Sequence, residues 1–370
     1  MIIGYDAKRA FNNKTGLGNY SRMIISGIAS AYRDCECVLY TPMIDDELAG
    51  YFRGIGNVSS RQPLGLERMF PAWWRSRGLA RQVRNDEIDI FHGLSHELPH
   101  GLPNDVKKVV TMHDLVAWRY PHFFTKFDAR THQKKQTYAC QSADVVIAIS
   151  EQTKRDLIEI MNVPADRIQV VYQSCDDVFW YPIEEYDKQE TRKKYNLPDN
   201  YLICVGTIES RKNQLSVIHA MEQVEPDMHL VIVGRKRAAY AETVMAEVKK
   251  HPNRIHVIQD ADFDDFPYLY ACSRGAVYMS HFEGFGIPII EAMCCGVPVL
   301  TSNCSSMPEA GGDAALYADP KNIDEIAAQI NRLINDEALR TDLLAKAEIQ
   351  RNKFTHDKII NNMYNLYCQL

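Results

Sequence analysis

No stretch of about 18 uninterrupted apolar residues occurs in the 370-residue chain, so no transmembrane helix is expected. The start does not read as a signal peptide either. The apolar part of M-I-I-G-Y-D-A-K-R is too short and precedes its charges, as in a first strand. The ten cysteines never take the repeated C-x-x-C spacing of a zinc site, and the close pairs Cys35/Cys37 and Cys294/Cys295 are poorly placed for disulfides. They read as reduced thiols, mostly small buried hydrophobes, in a cytoplasmic protein. No G-x-x-x-x-G-K-[ST] run is present, which excludes a P-loop enzyme. No dense basic stripe interleaved with aromatics runs through the chain, which argues against nucleic acid as a partner. Internal repeats and low-complexity tracts are also missing.

What is present is an ordinary soluble composition, 46% hydrophobic and 24% charged, at a length that suits two domains of roughly 150 residues each. The net charge of −6 is uneven: residues 1–178 carry 22 Lys+Arg against 21 Asp+Glu, and residues 179–370 carry 20 against 27. The more basic N-terminal half is therefore the half expected to meet something acidic.

The stretch with most chemistry runs from Ser280 to Pro298, S-H-F-E-G-F-G-I-P-I-I-E-A-M-C-C-G-V-P. An apolar run, Gly275 to Ser280, leads into it as a buried strand would. Gly284 and Gly286 form a loop, Pro288 suits a helix start, and Gly296 followed by Pro298 suits its end. The backbone N–H groups near Phe285, Gly286 and Ile287 would then face an anion from a positive helix end. Glu283 precedes that helix and Glu291 lies inside it, so both can face one ligand.

Around this stretch the chain alternates strand and helix. Strands are expected at Met1–Asp6, Cys37–Thr41, Asp89–His92, Lys108–Met112, Asp144–Ile149 and Ile168–Tyr172, and a second series begins at Tyr201–Val205. That series continues through His229–Gly234, Arg254–Ile258, Gly275–Ser280 and Val297–Ser302. Between the two, residues 176–200 read as a polar linker. The turn Thr15-Gly-Leu-Gly-Asn-Tyr-Ser21 has two readings: a tight turn whose glycines need positive φ, or a phosphate-binding turn lacking the third glycine of a dinucleotide fingerprint. Ser150 is expected to cap a helix over Glu151–Met161.

Three further segments carry candidate chemistry. From residue 61 to 84 there are six arginines (Arg61, Arg68, Arg75, Arg77, Arg81, Arg84), one acid, Glu67, and the pair Trp73/Trp74. Such a segment suits an anionic membrane interface, or else a solvated helix face with both indoles turned inward. His96-Glu97-Leu98-Pro99-His100 spells the H-E-x-x-H zinc-protease pattern, but Pro99 and the flanking Gly93, Gly101 and Pro103 predict a loop, where the pattern has no meaning. His113-Asp114 ends a buried strand, where ligands bind in open α/β sheets, with Asp114 either orienting the ring or capping the next element. Arg211 and Lys212 follow the strand ending in Gly206; with Glu283 and Glu291 they suggest a ligand bearing phosphate and hydroxyls.

The blocks D-A-K…T-G-L-G-N-Y, V-V-T-M-H-D-L, A-D-V-V-I-A-I-S, R-I-Q-V-V-Y, G-T-I-E-S-R-K-N, E-G-F-G-I-P-I-I-E-A-M and G-V-P-V-L-T-S occur in order along nearly the whole chain. Together they resemble family 4 retaining glycosyltransferases of the GT-B fold, most of all the bacterial mannosyltransferase-like branch of O-antigen and capsule synthesis. The resemblance implies two doubly wound, Rossmann-like domains facing across a cleft. Residues 1–178 would form an acceptor-side domain with the final helix, 354–370, crossing back onto it, and residues 179–353 the donor-binding domain. It implies transfer of a hexose, mannose favoured, from a nucleotide-diphosphate sugar to a glycan or lipid-linked acceptor. No cofactor or metal is implied. The chain is expected in the cytoplasm, and an anionic membrane surface met through residues 61–84 would place it peripherally on the inner face of the plasma membrane.

By the same resemblance, Glu283 would contact the donor sugar and Glu291 the ribose. Arg211 and Lys212 would hold the diphosphate, and His113 would reach the sugar or the transferring centre. Gly284, Phe285, Gly286 and Ile287 would sit near sugar and phosphate. Gly206 and Ile258 would lie at strand ends beside the nucleotide, and Gly16 and Gly18 would admit the diphosphate from the N-terminal side. Three positions depart from the family pattern: Thr207 where an arginine is common, Gln173-Ser174 for Asn-Gly, and Gln259 for a glycine near the base. A nucleotide-sugar epimerase of the same fold is the alternative reading.

Overall fold

Runs such as Tyr201–Val205, in which every residue is buried, have no polar face to show to water, so they must be covered on both sides. Parallel sheets flanked by helices meet that need. The computed structural model describes residues 1–237 and 239–370, and these divide into two units, Met1–Ser174 with Thr355–Leu370, and Cys175–Phe354.

The first unit holds seven strands: β1 (Ile2–Asp6), β2 (Glu36–Tyr40), β3 (Val58–Arg61), β4 (Ile90–Gly93), β5 (Lys107–Met112), β6 (Val145–Ala148) and β7 (Ile168–Val170). All neighbours pair in parallel, in the order β3-β2-β1-β4-β5-β6-β7. The order reverses between β1 and β4, the switch point where open α/β sheets bind ligands beyond the carboxyl ends of their strands. Ser150 caps the Glu151–Met161 helix as expected, its hydroxyl accepting from the Thr153 N–H at 3.0 Å. The last helix, His356–Cys368, packs on this unit. Tyr364 stacks on Tyr32 at 3.5 Å, and the Tyr367 hydroxyl lies 2.6 Å from His92 Nδ1.

The second unit holds β8 (Tyr201–Val205), β9 (His229–Val233), β10 (Ile255–Ile258), β11 (Gly275–Tyr278), β12 (Val299–Ser302) and β13 (Ala315–Ala318), again all parallel. Their order is β10-β9-β8-β11-β12-β13, so the switch point lies between β8 and β11. Leu202, Leu230, Ile232, Val277 and Leu300 project from the sheet into a core closed by Val217, Ile330 and Leu333 of the covering helices.

Some expectations change. The 15–21 segment is not a positive-φ turn. Gly16 and Gly18 lie in the first turn of a helix, Gly16–Ala31, and neither has positive φ. Gly18 is needed for a different reason: a Cβ there would stand 1.7 Å from the Asn13 carbonyl oxygen, so the helix start presses on the preceding loop. The polar segment read as a linker contains a helix, Glu185–Lys194, with only Thr191 buried. Strands β3 and β13 lie outside the expected set; each is an edge strand, β3 of the first unit's sheet and β13 of the second's, the one with little apolar pattern and the other only four residues long.

Candidate active site

Site residues cluster after β8 and β11, the two strands that flank the switch point. Gly206 follows β8 with φ +137°, and a Cβ there would touch the Lys212 stem at 3.6 Å. The chain then makes a turn over Ser210–Lys212, and Asn213, at φ +58°, redirects it into the Gln214–Ala220 helix. Asn213 is buried and donates to the Pro320 carbonyl at 2.7 Å, which pins the turn. The backbone N–H of His281 donates to the Arg211 carbonyl at 2.9 Å, tying this turn to the loop after β11.

That loop carries Glu283, which is buried. Lys212 Nζ lies 2.8 Å from its Oε1, and Arg211 Nη1 forms an ion pair with Oε2. Arg211 also donates to the Phe282 carbonyl at 2.9 Å and to Glu209 at 2.8 Å, while Lys212 donates to the Tyr278 hydroxyl at 2.5 Å. Burial alone would raise the Glu283 carboxyl; Arg211 and Lys212 outweigh it and hold it down at about 2. Burial lowers Lys212, with Glu283 pulling up and Arg211 pushing down, while Glu283 and Glu209 keep Arg211 raised against burial.

Serine hydroxyls fix the loop itself. Ser306 donates to the carbonyls of Glu283 and Phe285 at 2.9 and 2.8 Å, and Ser305 donates to the Glu283 carbonyl at 2.8 Å. The helix Ile287–Cys294 follows, with Gly286 at φ +113° as its cap and Pro288 in its first turn. A side chain at 286 would be strained by that φ, and its Cβ would come within 3.1 Å of Ile289. The Phe285 side chain is core, T-stacked on Phe354 at 5.1 Å, so it takes no part in meeting a ligand.

Glu291 lies within that helix and meets a different environment. Its Oε2 accepts from the Tyr270 hydroxyl at 2.9 Å. Burial pushes its carboxyl up to about 7, against the smaller opposing pulls of Tyr270 and Lys212. Ile258 ends β10, and Ile287 opens the helix, both half-buried.

His113, Gly16 and Gly18 belong to the first unit. His113 follows β5 and is buried, with Nε2 donating to the Leu94 carbonyl at 2.9 Å and Nδ1 left as the lone-pair nitrogen. Tyr20, on the helix that Gly16 opens, packs edge-on against it at 4.7 Å, and His96 does so at 5.3 Å. Burial and the neighbouring His96 lower His113 to about 3, so it is neutral at ordinary pH. Asp114 accepts from the Val116 N–H at 3.1 Å, which makes it a cap and not the partner of the histidine ring. The H-E-x-x-H stretch is a loop, with His96 at φ +63° and Glu97 bound to Arg75 and Lys135, so no helix face presents both histidines. Among the described residues, a three-ligand grouping of metal-binding type is found at His219, Glu222 and Glu247; it includes none of the expected site residues.

Sequence reasoning missed Tyr278, Tyr270, Glu209 and the serines at 305 and 306. Tyr278 had a signal, an aromatic at the end of a strand that runs into the glutamate loop. The serines had none, because their partners are backbone carbonyls about twenty residues away.

Two family models match the chain, "Glycosyltransferase Family 4" over residues 15–178 and "Glycosyl transferases group 1" over residues 187–350. O-antigen chain mannosyltransferase B of Escherichia coli is 30% identical over 95% of this chain and 96% of its own length. The chain belongs to glycosyltransferase family 4. O-antigen chain mannosyltransferase RfbU of Salmonella typhimurium is 27% identical over 64% of this chain and 66% of its own. Among solved structures, Anabaena HepE in complex with UDP and glucose aligns with a TM-score of 0.77 at 20% identity, covering 100% of this chain and 99% of that one. WaaG, a glycosyltransferase involved in lipopolysaccharide biosynthesis, aligns with a TM-score of 0.72 at 15% identity, covering 99% of each chain. Those likenesses show the GT-B fold. The protein is thus a sugar-transferring enzyme, and the epimerase alternative finds no support in the comparisons.

Proposed function

We propose that the protein transfers a hexose, with mannose favoured, from a nucleotide-diphosphate sugar to a glycan or lipid-linked acceptor, with retention and without a metal. The observation that carries this is the Arg211–Lys212–Glu283 cluster at the switch point of the second unit. The names of the O-antigen mannosyltransferase relatives support the choice of sugar and pathway class. The second unit takes the donor and the first unit the acceptor.

In the unliganded chain Glu283 and Glu209 neutralise the two cations. An arriving diphosphate competes for Arg211 and Lys212, which stabilise the leaving group as its charge grows, while Glu283 turns to the sugar. Held far below neutral pH, Glu283 is an anion throughout. It positions the sugar and stabilises positive charge at the reacting carbon. Glu291 accepts from the ribose hydroxyls, and the backbone of 284–287 lies against phosphate and sugar. His113, neutral with Nδ1 as acceptor, suits a hydrogen bond from a sugar hydroxyl. The test is a calorimetric panel of nucleotides and nucleotide-sugars, followed by transfer assays with the binder. Donor binding that Lys212→Met weakens by about tenfold to a hundredfold supports the reading; full affinity in that variant removes Lys212 from the site.

The 61–84 segment supports a peripheral role at an anionic membrane surface, divided unequally. Trp74 is fully buried, but Trp73 is 54% exposed beside exposed Leu64, Leu66, Met69 and Phe70. Arg61, Arg75 and Arg81 pair with acids, leaving Arg68, Arg77 and Arg84 as the basic contribution. Vesicle binding that falls with salt and with Trp73→Ser is the expected result; binding indifferent to both would return the segment to a solvated face.

A further inference from the structure

Away from the Arg211–Lys212–Glu283 cluster, the second unit brings two histidines and two glutamates together at one end of a helix pair. His219 lies in the Gln214–Ala220 helix and Glu222 in the turn Met221–Gln223 that continues it, three residues on and so on the same face. Glu247 lies in the last turn of the Ala238–Val248 helix, and His251 follows it by four residues. The His251 N–H donates to the Val248 carbonyl at 3.0 Å, a turn that keeps the ring beside Glu247. Val217 and Met221 from the first segment and Val244 and Val248 from the second share one core. The Leu215 N–H also donates to the Tyr240 hydroxyl at 3.0 Å, which ties the two helices together.

Ligand atoms of His219, Glu222 and Glu247 lie within 4.8 Å of one another. Glu222 Oε1 stands 3.7 Å from His219 Nδ1 and 3.9 Å from His251 Nε2, and Glu247 Oε1 stands 4.0 Å from the same His251 nitrogen. These gaps are too long for hydrogen bonds. They lie just outside the ligand-to-ligand edge of a tetrahedral zinc site, about 3.3–3.6 Å for bonds of about 2.0–2.2 Å. His251 adds an independent sign: its Nε2 is buried and has no hydrogen-bond partner among the described residues, although two carboxylates face it. Lys250 takes Oε2 of Glu247 at 2.8 Å, which leaves Oε1 to the histidines. His219 and Glu222 are partly exposed, so an ion can enter from solvent and draw both side chains in.

We propose that His219, Glu222, Glu247 and His251 bind a zinc ion. Two imidazoles with two carboxylates suit zinc and its transition-metal neighbours and disfavour magnesium and calcium, which take oxygen ligands. Four protein ligands leave no open position, so the ion is structural and transfer still proceeds without a metal. It clips together two helices whose other ends flank the Arg211–Lys212 turn. The first begins just after Lys212 and Asn213. The second begins after Arg237, whose guanidinium lies 3.6 Å from Glu209, the partner of Arg211.

The test is calorimetry and thermal melting of the full chain, stripped with EDTA, against Zn2+, Co2+, Mg2+ and Ca2+. Zinc should bind at a single strong site and raise the melting temperature, and magnesium and calcium should do neither. His219→Ala with His251→Ala should weaken zinc by at least about tenfold, since the loss of even an outer partner costs that much, and should melt with the parent in EDTA. Glu222→Gln, at the most exposed of the four ligands, should weaken zinc as well, and it decides the matter if the double variant folds poorly. Because the chain has ten cysteines, Co2+ is the discriminating probe. Nitrogen and oxygen ligands give its d–d absorption without thiolate-to-cobalt charge transfer. A thiolate band, zinc affinity that survives in a folded variant, magnesium or calcium bound as tightly as zinc, or no zinc binding at all overturns the proposal.

Discussion

Glu283 and Glu291 lie in one stretch of chain, both carboxylates, the first buried and the second half-buried, and they end up at opposite ends of the carboxylate range. Glu283 sits in a loop that meets the turn after β8, where Arg211 and Lys212 hold it at about 2. Glu291 sits in a helix against the Tyr270 hydroxyl, where burial lifts it to about 7. Burial acts on both in the same direction; the cations decide. One carboxylate is a permanent anion locked to the cations that a diphosphate would claim, and the other is a hydrogen-bond acceptor that waits for donors.

The largest effect expected from breaking this contrast comes from Glu283→Gln. It removes the fixed anion and should lower transfer by about 10²–10³-fold, as loss of one electrostatic group does in other active sites. Near-normal turnover would show that the sugar is held elsewhere. Next comes Lys212→Met, which should weaken the nucleotide-sugar by about tenfold to a hundredfold and let the Glu283 carboxyl rise. A Kd equal to the parent's would contradict the diphosphate role. Smaller again is the effect on stability, where the two residues have opposite signs. Glu283, depressed below its unfolded value, stabilises the fold above about pH 4, and that contribution fades as pH falls towards 2. Glu291, raised, favours the fold most below about pH 4 and loses that advantage as pH rises through 7. Glu291→Gln should therefore raise the melting temperature at pH 8 relative to the parent and change it little near pH 4. Parallel melting curves for parent and variant across that range would erase the distinction.

Much of the fold could be read from the chain because its central strands carry apolar runs, such as Tyr201–Val205, closed by glycine, and Val145–Ala148. Two edge strands could not: V-S-S-R at β3 has little apolar pattern, and A-L-Y-A at β13 is too short to stand out. The helix at 185–194 stayed hidden because it is polar nearly all round. At the site, residue types and spacing gave the glutamates and the basic pair, but not what each glutamate faces. Nothing local to Glu291 announces Tyr270, twenty-one residues away, and nothing local to Arg75 announces Asp6. Trp73 and Trp74, identical by composition, separate only when the helical turns of 71–85 set one against Val83 and Phe91 in the core and turn the other outward.

The most direct test is calorimetric titration of the nucleotide-sugar from pH 6 to 8 with the parent, Glu291→Gln and Glu283→Gln. A diphosphate diester has no ionisation of its own in that range, so any slope belongs to the protein. Ionised Glu291 is the better acceptor for ribose hydroxyls. Parent affinity should therefore rise with pH, by up to about tenfold per group that must lose its proton. The slope should vanish in Glu291→Gln and persist, at lower affinity, in Glu283→Gln. A slope that survives in Glu291→Gln, or disappears only in Glu283→Gln, would contradict the assignment of the two carboxylates.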